Sequence, residues 1–355
     1  MKPEILIVNK AQFGYHTDSY YIALLLADAY EVTYICWDYG LPKISCDKVN
    51  TIYISRKGNK VKRYLRLLSG SFKEARKRYY RTIFIVYFRL SSLLPILLGS
   101  KRMIVDLRTG ATNVKPAIRL LQNMFYRLES IFFRRLTVIS EALSKKLKLP
   151  SRKVHVLPLG SDIISHTDKD FKELNLIYVG VLTRRDIDHT IKGFAKFYAE
   201  FHSMISMSYT IIGFGDEATE SMIRSAITDA RTGDRIRFVG RVPRQELKKY
   251  FDNHNIGVSY VPMNDFLDCQ PPTKTFEYLL SGMPTLATAT SENRKIINDK
   301  NGVLIDHSAE AFYKGLVTLY HHRQSYNSEK IRSSMTDHTW ESIINKNLKP
   351  YLQKN

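Results

Sequence analysis

Gln270-Pro271-Pro272-Thr273-Lys274-Thr275-Phe276-Glu277-Tyr278-Leu279-Leu280-Ser281-Gly282-Met283-Pro284 reads as a short helix with both ends marked. The two prolines keep the residues before Thr273 out of the helical region. Thr273 is placed to cap the helix, and Gly282-Met283-Pro284 stops it sharply. An apolar run, Ile256–Val261, precedes the segment, and another, Thr285–Ala289, follows it. Strand, helix and strand in that order are the unit of a parallel sheet.

The pattern extends in both directions. Upstream strands are expected at Leu176–Val179, Tyr209–Ile212 and Ile236–Val239, and one downstream at Val303–Ile305. Helices are expected at Asp188–Glu200, Asp216–Ala230, Arg244–Phe251 and Ala309–Tyr320. Ser161 to Lys172 is mostly polar with no apolar period, and reads as a linker. Before it lies a second series of apolar runs: Ile5–Val8, Val32–Cys36, Thr51–Ile54, Ile83–Phe88, Met103–Leu107, Leu136–Ile139 and Val154–Leu157. A helix from Asp18 to Ala29, capped by Thr17 or Asp18, follows the first of them. The expected fold is therefore α/β, with two doubly wound domains at 1–160 and 173–338 joined by 161–172. A final helix, about Trp340 to Leu352, forms a tail at 339–355 that can cross back to the first domain. Two such sheets in tandem leave a cleft at the carboxyl ends of their strands, where ligands bind.

The composition is that of a globular chain: 44% hydrophobic and 25% charged residues exclude a disordered or collagen-like protein. Its 355 residues suit two domains. Cys36, Cys46 and Cys269 fit neither a zinc site nor a disulfide framework, so a reducing cytoplasm is expected. Met1-Lys2-Pro3-Glu4 runs straight into a strand, and no secretory leader is expected. The most apolar region, Ile83 to Ser100, is interrupted by Arg89 and Pro95, whereas a membrane span needs about 20 predominantly apolar residues.

The formal charge of +20 is unevenly placed: residues 1–160 hold 29 Lys and Arg against 10 Asp and Glu, and the remainder is nearly balanced. Arg56 to Arg81 is the densest run, with Glu74 its one acid. Val61, Tyr64, Leu65 and Leu68, then Phe72, Ala75, Tyr79 and Tyr80, recur there at helical spacing. A basic amphipathic helix of this kind suits an anionic membrane surface. The alternative is a solvated helix whose apolar stripe packs on its own domain. No nucleic-acid-binding motif is present, and no nucleic-acid partner is expected.

Leu176-Ile177-Tyr178-Val179-Gly180 leads into Val181-Leu182-Thr183-Arg184-Arg185-Asp186 and a helix. A helix amino end with two arginines suits phosphate oxygens. The amides near Thr273 and Lys274, with the Lys274 ammonium, offer a second anion-binding group. Glu277, one turn in, can accept from a ribose diol or merely complement the helix dipole. Gly213-Phe214-Gly215 lacks the third glycine of a dinucleotide fingerprint. Gly240-Arg241-Val242-Pro243 follows another strand, where its backbone can meet a nucleobase. Asp186-Ile187-Asp188 is not read as a metal site, and neither a metal nor a cofactor is expected.

In order, YVGVLTRRDIDHTIKGF, YTIIGFGDE, RIRFVGRVPRQELKKYF, PPTKTFEYLLSGMPTLAT and NGVLID resemble the retaining GT-B glycosyltransferases of the family 4, or group 1, type. LTVISEALSKKL and VHVLPLGSD fit the family's interdomain region. The resemblance implies two Rossmann-like domains facing across a cleft. It also implies a nucleoside-diphosphate sugar (UDP or GDP) as donor on the C-terminal domain, and a glycan or lipid-linked acceptor on the N-terminal one.

The family's diphosphate-gripping pair falls on Val181, a departure, and on Arg185, with Arg184 beside it and Lys274 opposite. Its second glutamate matches Glu277. Its first falls on Cys269, leaving Asp268 or Gln270 to meet the sugar hydroxyls. Gly180, Gly213, Gly240, Arg241, Val242 and Thr273 complete the implied donor site. Asp106 and Arg108, in Val105-Asp106-Leu107-Arg108-Thr109-Gly110, occupy the strand end where relatives carry a histidine near the sugar, or else form a structural pair. Gly14, Tyr15 and His16 correspond to the loop beside the acceptor.

The function this implies is transfer of a sugar, without a metal, at the cytoplasmic face of a membrane. Cys269 and Val181 motivate the alternative of a non-catalytic subunit that binds a partner transferase or a glycan. An epimerase of the same architecture would need acid–base residues in the cleft, and no clear set is present.

Overall fold

The computed structural model describes residues 2–111, 115–265 and 267–354, and each strand expected from the sequence overlaps a β-strand of it. Two compact units form, residues 1–159 with 340–355 and residues 160–339.

In the first unit, β1 (Glu4–Val8), β2 (Glu31–Asp38), β3 (Val49–Ser55), β4 (Thr82–Val86), β5 (Met103–Leu107), β6 (Arg135–Val138) and β7 (Val154–Val156) make one sheet. Its order is β3-β2-β1-β4-β5-β6-β7, and every pair is parallel. The helices are α1 (Thr17–Leu26), α2 (Lys60–Lys77), α3 (Leu93–Leu98), α4 (Pro116–Ser130) and α5 (Glu141–Lys146). The chain winds outward from β1 to β3, then returns to lay β4 on the other side of β1. The loops after β1 and β4 therefore diverge, which makes that edge the topological switch point. His16 caps α1, its Nδ1 accepting from the Ser19 amide. Thr17 and Asp18, expected as caps, are already helical, because His16 is the last residue with extended backbone.

The second unit repeats the winding. Strands β8 (Leu174–Val181), β9 (Met207–Phe214), β10 (Ile236–Gly240), β11 (Ile256–Ser259), β12 (Thr285–Thr288) and β13 (Gly302–Ile305) are ordered β10-β9-β8-β11-β12-β13, all parallel. Its helices are α6 (Ile187–Phe201), α7 (Glu217–Asp229), α8 (Leu247–Asn253), α9 (Thr273–Leu280), α10 (Ala309–His322) and α11 (Ser328–Ser334). Here the switch point lies between β8 and β11.

Residues 161–172 fold onto this unit rather than linking freely. Ser161 bridges to Thr339, and the Ser165 hydroxyl donates to Asp252 at 2.7 Å. Polar composition there reflects hydrogen bonding, not freedom.

The tail, α12 (Trp340–Ile343), a π-turn at Ile344–Leu348 and α13 (Lys349–Gln353), belongs to the first unit. Its Ile343, Ile344, Leu348 and Leu352 join the core of Ile5, Ile7, Phe84 and Ile104. Pro350 has no amide to donate to the preceding turn, a physical reason for the irregular winding there.

Candidate functional site

Helix α9 is held against its sheet by its own side chains. Gly257 leaves room for the Tyr278 ring, since a Cβ at 257 would come within 2.3 Å of it. The Tyr278 hydroxyl accepts from the Val179 amide of β8 at 2.8 Å. Thr275 shares a hydrogen bond of 2.7 Å with Ser259 of β11 and donates to Asn293 at 3.0 Å. These contacts point the start of α9 at the end of β8. Pro272, not Thr273, is the N-cap residue, and no side chain caps the helix. Thr273 is its exposed first residue, where extended Pro272 already marks the boundary.

Lys274 extends from this helix over β8. Its ammonium lies 3.7 Å from the centre of the Tyr178 ring, and a Cβ on Gly180 would come within 2.9 Å of it. Gly180 has φ of +154°, a backbone conformation that favours glycine. Gly213 is glycine because a Cβ there would meet the Gly180 carbonyl oxygen at 1.9 Å. Desolvation, then the neighbouring Arg185 charge, push the Lys274 pKa well below its ordinary value, with Glu277 opposing. Among the described residues, Lys274, Arg184 and Arg185 form no ion pair. Arg184 and Asp186 both take positive φ, 59° and 49°, in the loop that presents the arginines.

Glu277 is buried, and its Oε1 accepts from Arg244 at 2.9 Å. Arg244 also donates to Asp162 at 2.7 Å. Burial alone would lower the Arg244 pKa, but these two carboxylates more than reverse it and raise it. The Arg244 side chain nevertheless remains 43% exposed. Arg244 was not among the residues expected here, because the signal lies in a contact between helices rather than in a motif.

Arg241 stacks over the Phe214 ring at 5.0 Å, beside Gly240 with φ of +81° and the half-buried Val242. Asp268 is tied to Ser291, whose amide donates to it at 2.8 Å. Cys269 is buried, its thiol directed towards the Asp265 carbonyl at 3.9 Å, and Gln270 is half-buried beside it. None of the three cysteines is in a disulfide. Asp188 pairs with Lys192 at 2.8 Å, and among the described residues no cluster of acids, histidines or cysteines is placed to hold a metal ion.

The first unit places its expected residues differently. Asp106 is buried; its carboxylate accepts from Thr137 at 2.7 Å and lies 3.0 Å from the Arg108 Nε. Asp18 lies 3.3 Å from the same nitrogen, and Arg108 donates to the Leu157 carbonyl at 2.7 Å. Burial raises the Asp106 pKa against the pull of Arg108. Asp106, Arg108 and Asp18 thus form a charged triad within the first unit.

His16 sits nearby, its pKa lowered by burial, with Asp18 opposing and Arg108 reinforcing. Gly14 has φ of +87° and would clash with Ile44 if it bore a Cβ; Tyr15 is exposed and donates to Pro42 at 2.9 Å.

Residues 173–322 match the family described as Glycosyl transferases group 1. A sucrose-phosphate synthase from Thermosynechococcus elongatus has a similar structure, with a TM-score of 0.73 at 16% identity, covering 99% of both chains. HepE from Anabaena, solved with UDP, has a TM-score of 0.76 at 11% identity over the whole of both chains. WaaG, a glycosyltransferase of lipopolysaccharide biosynthesis, has a TM-score of 0.67 at 12% identity, covering 99% of this chain and 100% of the other. No curated protein matches in sequence. The resemblance to group 1 glycosyltransferases is borne out over residues 173–322, and the fold of two Rossmann-like domains over the whole chain.

Proposed function

We propose that this protein is a retaining, metal-independent glycosyltransferase. Its second unit binds a nucleoside-diphosphate sugar and its first a lipid-linked or surface glycan precursor, at the cytoplasmic face of a membrane. The observation that carries the donor half is the cluster of Arg184, Arg185 and Lys274. Lys274 and Arg185 meet at a switch point with no carboxylate in an ion pair with either, beside Glu277 and the unconsumed amides of α9, and Arg184 stands exposed in the same loop. A diphosphate supplies the missing charge, and Glu277 accepts from the ribose hydroxyls. The match over residues 173–322 and the UDP held by HepE support the same ligand class.

In the reaction, the bond from the anomeric carbon to the diphosphate oxygen breaks and its electron pair leaves with the diphosphate. The acceptor oxygen bonds that carbon, and its proton passes to the departing phosphate. Lys274, Arg185 and Arg184 stabilise the charge that develops there, which is where catalysis of this kind acts. Screening UDP and GDP by thermal shift, then measuring transfer and hydrolysis across nucleotide sugars by mass spectrometry, tests the assignment. A nucleotide that binds the native state raises the melting temperature; no shift with either overturns it. Binding without turnover supports instead the non-catalytic reading, which the buried thiol of Cys269 favours.

The membrane half rests on the first unit's surface. The stripe of α2 divides: Leu68 and Ala75 are buried in their own unit, while Val61 and Leu65 stay exposed among lysines and arginines. Ile96 and Leu97 are exposed on α3, and Leu120, Leu121 and Met124 are exposed on α4. No helix among the described residues is long and apolar enough to cross a membrane. Sedimentation with anionic vesicles at low salt should retain the protein, and charge reversal across residues 56–81 should release it. Retention unaffected by that reversal defeats the assignment.

A further inference from the structure

Cations without counter-ions at a switch point also occur in the first unit. Between the loops after β1 and β4, the start of α2 and the inner face of α4 lies a cavity of 320 Å³. Lys10 reaches it from the loop after β1, Arg89 from the loop after β4 and Lys60 from the first position of α2. Tyr87, Phe125 and Tyr126 contribute aromatic walls, and the Arg89 guanidinium stands 4.1 Å over the Phe125 ring.

No carboxylate among the described residues lines the cavity, and none of the three cations is ion-paired there. Glu129, behind Tyr87, is already engaged by the Leu90 and Ser92 amides and the Tyr87 hydroxyl. Lys10 is exposed, and partial loss of water, then the nearby Lys60 charge, lower its pKa. Of three wider concavities of this unit, those of 730 and 740 Å³ open at the opposite ends of the strands and have Glu4 in their walls, and the third, of 650 Å³, lies along β3 and α2 beside Lys62, Arg66 and Lys73 but has no aromatic wall besides Tyr53.

We propose that this cavity binds a phosphate or diphosphate group carried by the acceptor. The assignment rests on the glycosyltransferase reading above and narrows its acceptor to a phosphate-bearing one. The three cations, exposed around the cavity, hold the anion through charge-assisted contacts, and the aromatic rings form its floor. The exposed Leu120, Leu121 and Met124 of α4 offer a neighbouring surface for a hydrocarbon chain attached to that phosphate.

Calorimetry tests this on the full-length protein, with UDP or GDP, whichever binds, held at saturation to occupy the second unit. Inorganic pyrophosphate and farnesyl diphosphate are the titrants. Both should bind, and K10Q/K60Q, which removes two of the three cations, should weaken each at least about tenfold, a change of roughly 1.4 kcal/mol. Nucleotide affinity and melting temperature should not fall. Tighter binding of farnesyl diphosphate assigns the phosphate to a lipid carrier; equal affinities assign it to a soluble acceptor. No binding of either titrant, or binding that the double substitution leaves unchanged, overturns the proposal. If neither nucleotide binds the parent protein, the donor assignment falls separately, and the same titration without nucleotide still decides the cavity.

Discussion

The two sheets are wound alike, yet the charges at their carboxyl ends are treated in opposite ways. In the first unit Arg108, with 6% of its side chain exposed, is enclosed with Asp106 and Asp18 and donates to a backbone carbonyl. Its charge is answered within the chain. In the second, Lys274 is desolvated over an aromatic ring with another cation beside it and no carboxylate paired to it. Burial of a charge therefore does not by itself mark a binding group. A withdrawn charge without its counter-charge is a better candidate, because a ligand anion can offset the cost that the group otherwise relieves by giving up its proton.

The largest effect expected from this contrast is on stability. Asp106→Ala should leave Arg108 underpaired and cost about 3–5 kcal/mol in urea unfolding, the range for breaking a buried pair. Nucleotide affinity should be unchanged. Loss of turnover at unchanged stability would instead place Asp106 against substrate and break the comparison.

Lys274→Met should do the reverse. Nucleotide affinity should fall about 10–100-fold, from the loss of roughly 1.5–3 kcal/mol of charged hydrogen bonding. The melting temperature should hold or rise, since a desolvated ammonium has been removed. Glu277→Gln should weaken nucleotide binding about tenfold by calorimetry and cost about 1 kcal/mol of stability. Its effect on the fold is smaller because Arg244 retains Asp162.

The smallest signal is a proton. With its folded pKa below its unfolded one, Lys274 binds fewer protons in the native state between those two values. Stability should therefore rise with pH through that window, up to about 10.4, the unfolded value. A bound diphosphate favours the charged lysine, so nucleotide binding above the folded pKa should take up a proton. The calorimetric enthalpy should then vary with the buffer's ionisation enthalpy. The same slope in Lys274→Met would assign the proton elsewhere.

Much of the fold was legible because it is local. Val32–Cys36 and Ile256–Val261 alternate with helical periods, and proline, glycine and polar caps mark where the period changes. Lys274, Arg185 and Glu277 were readable for the same reason, each standing at a strand end or in the first turn of a helix. Local signals also misled: Thr273 has a capping side chain but follows a proline that already ends the extended backbone, and His16 takes the capping place expected of Thr17 or Asp18. Arg244 gave no sign of its role, because its partners Glu277 and Asp162 come from distant parts of the chain. The cluster of Lys10, Lys60 and Arg89 was equally hidden, since three separate loops and helices bring it together.

What the sequence alone determined is the alternation of strands and helices, the unequal charge of the two halves, and the block around Lys274, all written in the spacing of neighbouring residues. Only the tertiary structure decided which charges are answered. It joined Asp18 to Arg108, set Lys274 over Tyr178, and returned the last helices to the first sheet. Pairing of a charge depends on distance in space, and packing sets that distance between segments whose order in the chain carries no record of it.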